Sequence, residues 1–128
     1  GITNGCFDIL HSGHLHLFRT AKKQCDKLVV LINSDKSVKG LKGDRRPRIK
    51  LKERIELMKL VTSIDDIISF DEKTPIKMIQ KILPNILFKG SDYKQKEVIG
   101  YDIIKKNGGT VKIINKLSNF STTKLIKE

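Results

Sequence analysis

All three histidines of this 128-residue chain fall in one stretch, GCFDILHSGHLHLF, as His11, His14 and His16. Imidazoles gathered in this way can ligate a metal, decorate the start of a helix, or hold an anion such as a phosphate. A zinc site needs three converging ligands. His16 lies two residues beyond His14 and faces elsewhere on a helix, whereas an HxxxH pair would share one face. The spacing suits phosphate better. A helix beginning near Ser12 or Gly13, with Ser12 as N-cap, sets His11 just ahead of its first turn and His14 within it. Both rings then share a space with the unpaired N–H groups and the positive end of the helix dipole. Gly13 lets a ligand approach the backbone. His16 is expected to be an exposed bystander.

Other reactive residues are sparse. Cys6 and Cys25 form no CxxC pair and read as reduced thiols in a cytoplasmic protein. No Ser-His-Asp or Cys-His arrangement points to an acyl-enzyme. Asp8 either braces the loop ahead of the helix or contacts a metal. Nucleotidyl transfer would fit this inventory, because it needs positioning and charge neutralisation more than covalent chemistry.

The elements that must position these residues alternate along the chain. KLVVLINSD (27–35), DDIISF (65–70), NILFKG (85–90) and GTVKIIN (109–115) read as buried strands. A clipped or very short strand precedes Gly5. Helical patterns lie between them. Leu15, Phe18, Lys22 and Cys25 share one face. Ile55, Met58 and Val61 mark a second helix, its apolar face widened by Leu57 and Leu60. Ile76, Ile79 and Leu83 mark a third, closed by Pro84, and residues 98–106 form a weaker fourth. This alternation implies one α/β domain over residues 1–128, doubly wound and Rossmann-like, with a mostly parallel sheet. Ligands of such sheets bind beyond the carboxyl ends of the strands. Every segment expected there, including NSDKSVKGLKGDRRP read as a polar loop, is rich in Gly, Ser, Thr, Lys, Arg or Asp.

Composition narrows the partners. The formal net charge is +12, which favours anions, although a general bias toward Lys and Ile accounts for the same excess. A nucleic-acid module would find support in KGLKGDRRPRIKLKER. It is disfavoured by two tyrosines, five phenylalanines and no tryptophan, most of the aromatics lying in apolar contexts. No apolar run reaches membrane-spanning length and no signal peptide is read, so the expectation is a cytoplasmic protein with neither membrane nor nucleic-acid partner.

CFDILHSGH near the start and NFSTTKLIK near the end resemble the HxGH and STT signatures of the cytidylyltransferase-like nucleotidyltransferases. NGCFDILHSGH, NSDKSVKGLKGDRRP, FDEKTP, ILPNILFKGSDY and NGGTV followed by STTKLI resemble, in order and spacing, the adenylyltransferase domain of the ADP-heptose synthases. That resemblance implies transfer of AMP from ATP to D-glycero-β-D-manno-heptose 1-phosphate with Mg²⁺, pyrophosphate release, and a possible homodimer. It implies no metal ligand among the site residues. It places His11, His14 and Lys42 at the phosphates, with nearby Lys39 as an alternative to Lys42. It places the backbone of Cys6 and Phe7, together with Gly13 and Arg54, in the nucleotide site. Gly90 and Asp92 border the sugar and base, and Ser121, Thr122 and Thr123 hold the β- and γ-phosphates. Within the same class, a glycerol-3-phosphate cytidylyltransferase or another small-phosphate nucleotidyltransferase is the alternative.

Overall fold

A computed structural model describes residues 1–116. Its strands are β1 (Ile2–Gly5), β2 (Val29–Asn33), β3 (Asp66–Phe70), β4 (Ile86–Gly90) and β5 (Thr110–Ile114). Its helices are α1 (Ser12–Lys22), α2 (Asp35–Lys42), α3 (Leu51–Met58), α4 (Ile76–Ile82) and α5 (Tyr101–Lys106), the last preceded by a 3₁₀ turn at Gln95–Glu97. The five strands form one parallel sheet in the order β3-β2-β1-β4-β5. The α/β doubly wound architecture expected from the alternation is the one present.

The apolar runs become strands because both faces of the sheet are covered. Alternate residues point to opposite faces. Val30, Ile32 and Phe88 pack with Phe18, Ala21 and Met58 on the α1/α3 side. Leu31 and Leu87 pack with Ile79 and Ile104 on the α4/α5 side. The chain builds β1, β2 and β3 outward in one direction, then crosses back to lay β4 on the other edge of β1. A crevice forms where the direction reverses. It is widened by weak pairing: β1 matches β2 over four residue pairs, whereas β1 and β4 register only at Ile2 and Leu87.

Several local expectations are corrected. The basic segment after β2 contains a helix, α2, capped by Ser34, whose side chain accepts from the N–H of Ser37. The second patterned helix, α3, ends at Met58. Leu57 and Leu60 are exposed and do not widen its buried face. Leu83 lies past the end of α4 in a left-handed conformation and is half exposed.

Among the described residues, the largest fully buried side chain is Arg54 of α3. Its guanidinium donates to the carbonyls of Cys6 (2.8 Å), Asn33 (2.7 Å) and Ile49 (2.9 Å), and to Asp35 Oδ1 (2.8 Å). One planar fork thus joins the chain leaving β1, the end of β2, the start of α2 and the approach to α3. Replacing Arg54 by Met should cost about 3–5 kcal/mol, because buried carbonyls and a carboxylate lose their donor together. Arg54→Lys should recover only part of that, since one ammonium cannot span four acceptors. Urea unfolding midpoints measure the loss. A side chain serving only as a nucleotide contact would leave them unchanged.

Candidate active site

The chain leaves β1 through a strained turn. Phe7 adopts a left-handed backbone (φ 47°), uncommon outside glycine. This returns its ring beneath the strand end, where a Cβ on Gly5 would stand 2.9 Å from Phe7 Cζ. The Phe7 ring meets Phe18 and His14 edge to face, with centroids 5.3 and 5.2 Å apart. Asp8 is buried and accepts from the N–H groups of Arg48 and Ile49 at 2.8–3.0 Å, with Arg46 at 3.5 Å. Burial alone would raise its carboxyl, but those N–H groups and the Arg46 guanidinium hold it below the usual carboxylate range. Of the two roles open to Asp8, bracing is the one present: it pins the basic loop after α2 across the site.

The N-cap of α1 is His11, not Ser12. His11 Nδ1 accepts from the N–H of Gly13 (3.1 Å), and His14 Nδ1 accepts from the N–H of His11 (3.2 Å). The two imidazoles stack with centroids 3.9 Å apart. They perform the reciprocal capping that Ser and Glu perform elsewhere. The space left by Gly13 is filled by an imidazole rather than held for a ligand, since a Cβ there would lie 2.9 Å from His11 Cε1. In the neutral form, accepting at Nδ1 leaves each ring its proton on Nε2. Burial, with the neighbouring His11, pushes the His14 pKa down to about 4. His14 is therefore a neutral donor at physiological pH.

These residues face a cavity of about 750 Å³ at the carboxyl ends of the strands. Cys6, Phe7, His11, Gly13, His14 and Lys42 line it from one side, and Gly90 and Asp92 from the β4 side. Lys42 rather than Lys39 faces it. Arg54 lies beneath the cavity and not in its lining, because its guanidinium is spent on the backbone. Ser121, Thr122 and Thr123 lie outside the described residues. His16 departs from expectation. It is partly buried and lines the cavity, with Nε2 donating to the carbonyl of Asn115 (3.1 Å) and Nδ1 3.4 Å from Thr20 Oγ1. It ties α1 to the chain leaving β5.

Lys89, at the end of β4, also lines the cavity and was not singled out from the sequence. Burial pushes its pKa down to about 8, partly opposed by Cys6. The signal that would have found it is a lone lysine closing an apolar strand beside the point where strand order reverses. Among the described residues, no set of three or more His, Cys, Asp or Glu side chains is gathered for a metal. The donor chemistry does not fit a protein-held Mg²⁺ either, because Asp8 is spent on backbone N–H groups and Asp92 pairs with Lys116 at 2.7 Å.

The His14 shift has a stability consequence. Its folded pKa, about 4, lies below the unbound value of 6.5. The unfolded chain therefore binds the extra proton first as pH falls, and stability is lost between pH 6.5 and 4. This contribution should be on the order of 1–3 kcal/mol. His14→Gln keeps an acceptor for the cap and removes the titration, so melting curves across this window should be flatter for the variant than for the wild type.

A family model described as cytidylyltransferase-like matches residues 2–128. The bifunctional protein HldE of Rhodopseudomonas palustris (strain BisB5) is 43% identical over 128 residues, 100% of this chain and 26% of that protein. Its counterpart in Histophilus somni (strain 129Pt) is 46% identical over 127 residues, 99% of this chain and 27% of that protein. The chain thus spans about a quarter of the length of these relatives. The crystal structure of the lipopolysaccharide core biosynthesis protein from Thermoplasma volcanium GSS1 is 33% identical with a TM-score of 0.71, covering 91% of this chain and 93% of that one. No helix of the described residues is long and apolar enough to cross a membrane. A doubly wound sheet, an HxGH stretch opening its first helix and a match along nearly the whole sequence agree: the chain belongs to the cytidylyltransferase-like family of nucleotidyltransferase enzymes.

Proposed function

We propose that the chain transfers the adenylyl group of ATP to D-glycero-β-D-manno-heptose 1-phosphate, giving ADP-heptose and pyrophosphate. The observation that carries this reading is the pair of stacked imidazoles at the start of α1, fixed through Nδ1 so that both present Nε2–H beside the crevice. Similarity to the HldE proteins supports the acceptor. An oxygen of the sugar phosphate attacks the α-phosphorus in line, and the bond from that phosphorus to the bridging oxygen of pyrophosphate breaks. The attacking oxygen is already anionic, so no base has to remove a proton. His11 and His14 donate to the oxygens on which charge gathers, at the positive end of the helix dipole. Lys42 meets the triphosphate from α2, and the backbone of Cys6 and Phe7 borders it. Ser121, Thr122 and Thr123 serve the outer phosphates in this reading. Mg²⁺ enters with the nucleotide as its counter-ion, not as a resident of the protein.

Pyrophosphate release, assayed over four nucleoside triphosphates, a panel of sugar 1-phosphates and glycerol 3-phosphate, tests the reading. Turnover should require ATP and the heptose phosphate. A preference for CTP with glycerol 3-phosphate would overturn it. His14→Ala should lower kcat about 10²–10³-fold, the loss typical of one transition-state donor.

Lys42→Ala should raise the KM for ATP about tenfold or more, as expected when one charge-assisted contact is lost. Lys39→Ala should leave that constant unchanged, because Lys39 does not line the cavity.

A further inference from the structure

The chain that leaves β5 runs along the rim of the cavity, and a side chain outside the stacked imidazole pair holds it there. β5 is an edge strand whose last pair with β4 is Ile114 with Gly90. Beyond that pair no ladder among the described residues carries Asn115 and Lys116, yet both line the cavity. His16 Nε2 meets the Asn115 carbonyl at 3.1 Å, and Lys116 Nζ pairs with Asp92 Oδ1 at 2.7 Å. The chain is thus tied to α1 on one side and to the loop after β4 on the other. The ion pair joins two exposed side chains and contributes little. The half-buried imidazole is the firmer hold.

His16 is placed as a fixed donor. A carbonyl only accepts, so Nε2 carries the proton of the neutral ring, and Nδ1 faces Thr20 Oγ1 at 3.4 Å, one helical turn along α1. The surroundings keep the two chains at this distance. Leu17 and Phe18 pack in the same apolar cluster as Ile114, and Lys112 Nζ meets Gln24 Oε1 at 2.9 Å just past the far end of α1. The neutral ring has one N–H, and it is spent on Asn115. His16 therefore differs from His11 and His14, whose Nδ1 atoms accept from backbone and leave Nε2–H to the cavity.

We infer that His16 is a positioning residue for the triphosphate: by holding the Asn115 carbonyl it fixes where the chain leaves β5, and so how the residues that follow reach the nucleotide. This rests on the adenylyl-transfer reading above. Ser121, assigned there to the outer phosphates, follows Lys116 by five residues, a span of about 17 Å at full extension. A chain released at Asn115 starts from no fixed point, and its hydroxyls must be gathered from a larger volume at the moment of binding. The loss falls on binding rather than on the chemical step, since no transition-state donor is removed.

His16→Ala and His16→Gln test this by three readouts. In limited trypsin digestion, with fragments identified by mass, cleavage after Lys116 should be about tenfold faster in His16→Ala than in the wild type. It should return to the wild-type rate in His16→Gln, whose amide carries an N–H in place of Nε2–H. In steady-state pyrophosphate release, His16→Ala should raise the KM for ATP about five- to tenfold with kcat within about threefold, and His16→Gln should recover most of the loss. In thermal melts, ATP should stabilise His16→Ala less than the wild type, whereas AMP, which lacks the outer phosphates, should stabilise both equally. A fall in kcat at unchanged KM, or a loss that His16→Gln does not recover, would overturn the inference by making the imidazole a donor to the reacting groups. Unchanged cleavage with unchanged KM would overturn it by leaving only a packing contact.

If no sugar 1-phosphate supports turnover by the wild type, the adenylyl-transfer reading fails. Digestion and melts then decide the role of His16 separately, with whichever of the four nucleoside triphosphates stabilises the wild type and its monophosphate as probes. A triphosphate effect weakened in His16→Ala beside an unchanged monophosphate effect would support the inference, and equal effects of both in the variant and the wild type would overturn it. Should His16→Ala fail to fold, His16→Asn takes its place, because its shorter amide stops short of the Asn115 carbonyl.

Discussion

One buried guanidinium holds the working end of this molecule together. Arg54 reaches from α3 under the sheet's carboxyl edge and donates to the chain leaving β1, the end of β2 and the loop ahead of its own helix, while pairing with Asp35 at the start of α2. The Cys6 and Asn33 carbonyls lie where a strand has ended, and that of Ile49 lies in the loop between α2 and α3, so no ladder satisfies any of them. Water could do so only by flooding the crevice. An apolar side chain could fill the volume but would leave the carbonyls without donors. The cost of burying the charge is met by four directed bonds, and the return is a fixed spatial relation between the Cys6–Phe7 turn and α2. That relation sets the width of the cavity on the imidazole side.

The site built on this frame separates two tasks that a cluster of charged residues would confuse. His14 is neutral over the physiological range because it is buried beside His11, and its backbone contact fixes which nitrogen carries the proton. It gives direction rather than net charge. Net charge comes from lysines on flexible stems and from the basic loop held down by Asp8. Fixed dipoles need no reorganisation as charge moves during a reaction, and mobile cations gather the anions beforehand.

What could be read from the sequence follows the range of the forces involved. The apolar runs within β2, β4 and β5 are legible because burial against both helical layers favours consecutive apolar residues, as at 29–32, 86–88 and 113–114. The HxGH stretch is legible because helix starts are local. Helix α2 escaped notice because DKSVKGLK carries a glycine and five polar or charged residues around a single buried valine, and its stability comes from the Ser34 cap and the contacts of Asp35. Arg54 and His16 were misplaced for a common reason. Their partners, Cys6 and Asn115, lie 48 and 99 residues away, and no local pattern reports such a tie. Lys89 is a single cation at the end of an apolar strand, and only the reversal of strand order gives its position meaning.

The sparse pairing of β1 with β4 bears on how the chain assembles. β1 is central in the sheet, yet its neighbour β4 starts more than eighty residues later. The β3-β2-β1 half can close over short crossovers, whereas the seam must wait for a long loop to be ordered, with the loop entropy that entails. Once closed, it has few ladder bonds to keep it so, and it is where local opening costs least. A molecule lodged across the crevice bridges the two halves and adds bonds where the backbone supplies few. The crevice is thus also the unfinished joint of the fold, and occupancy completes it.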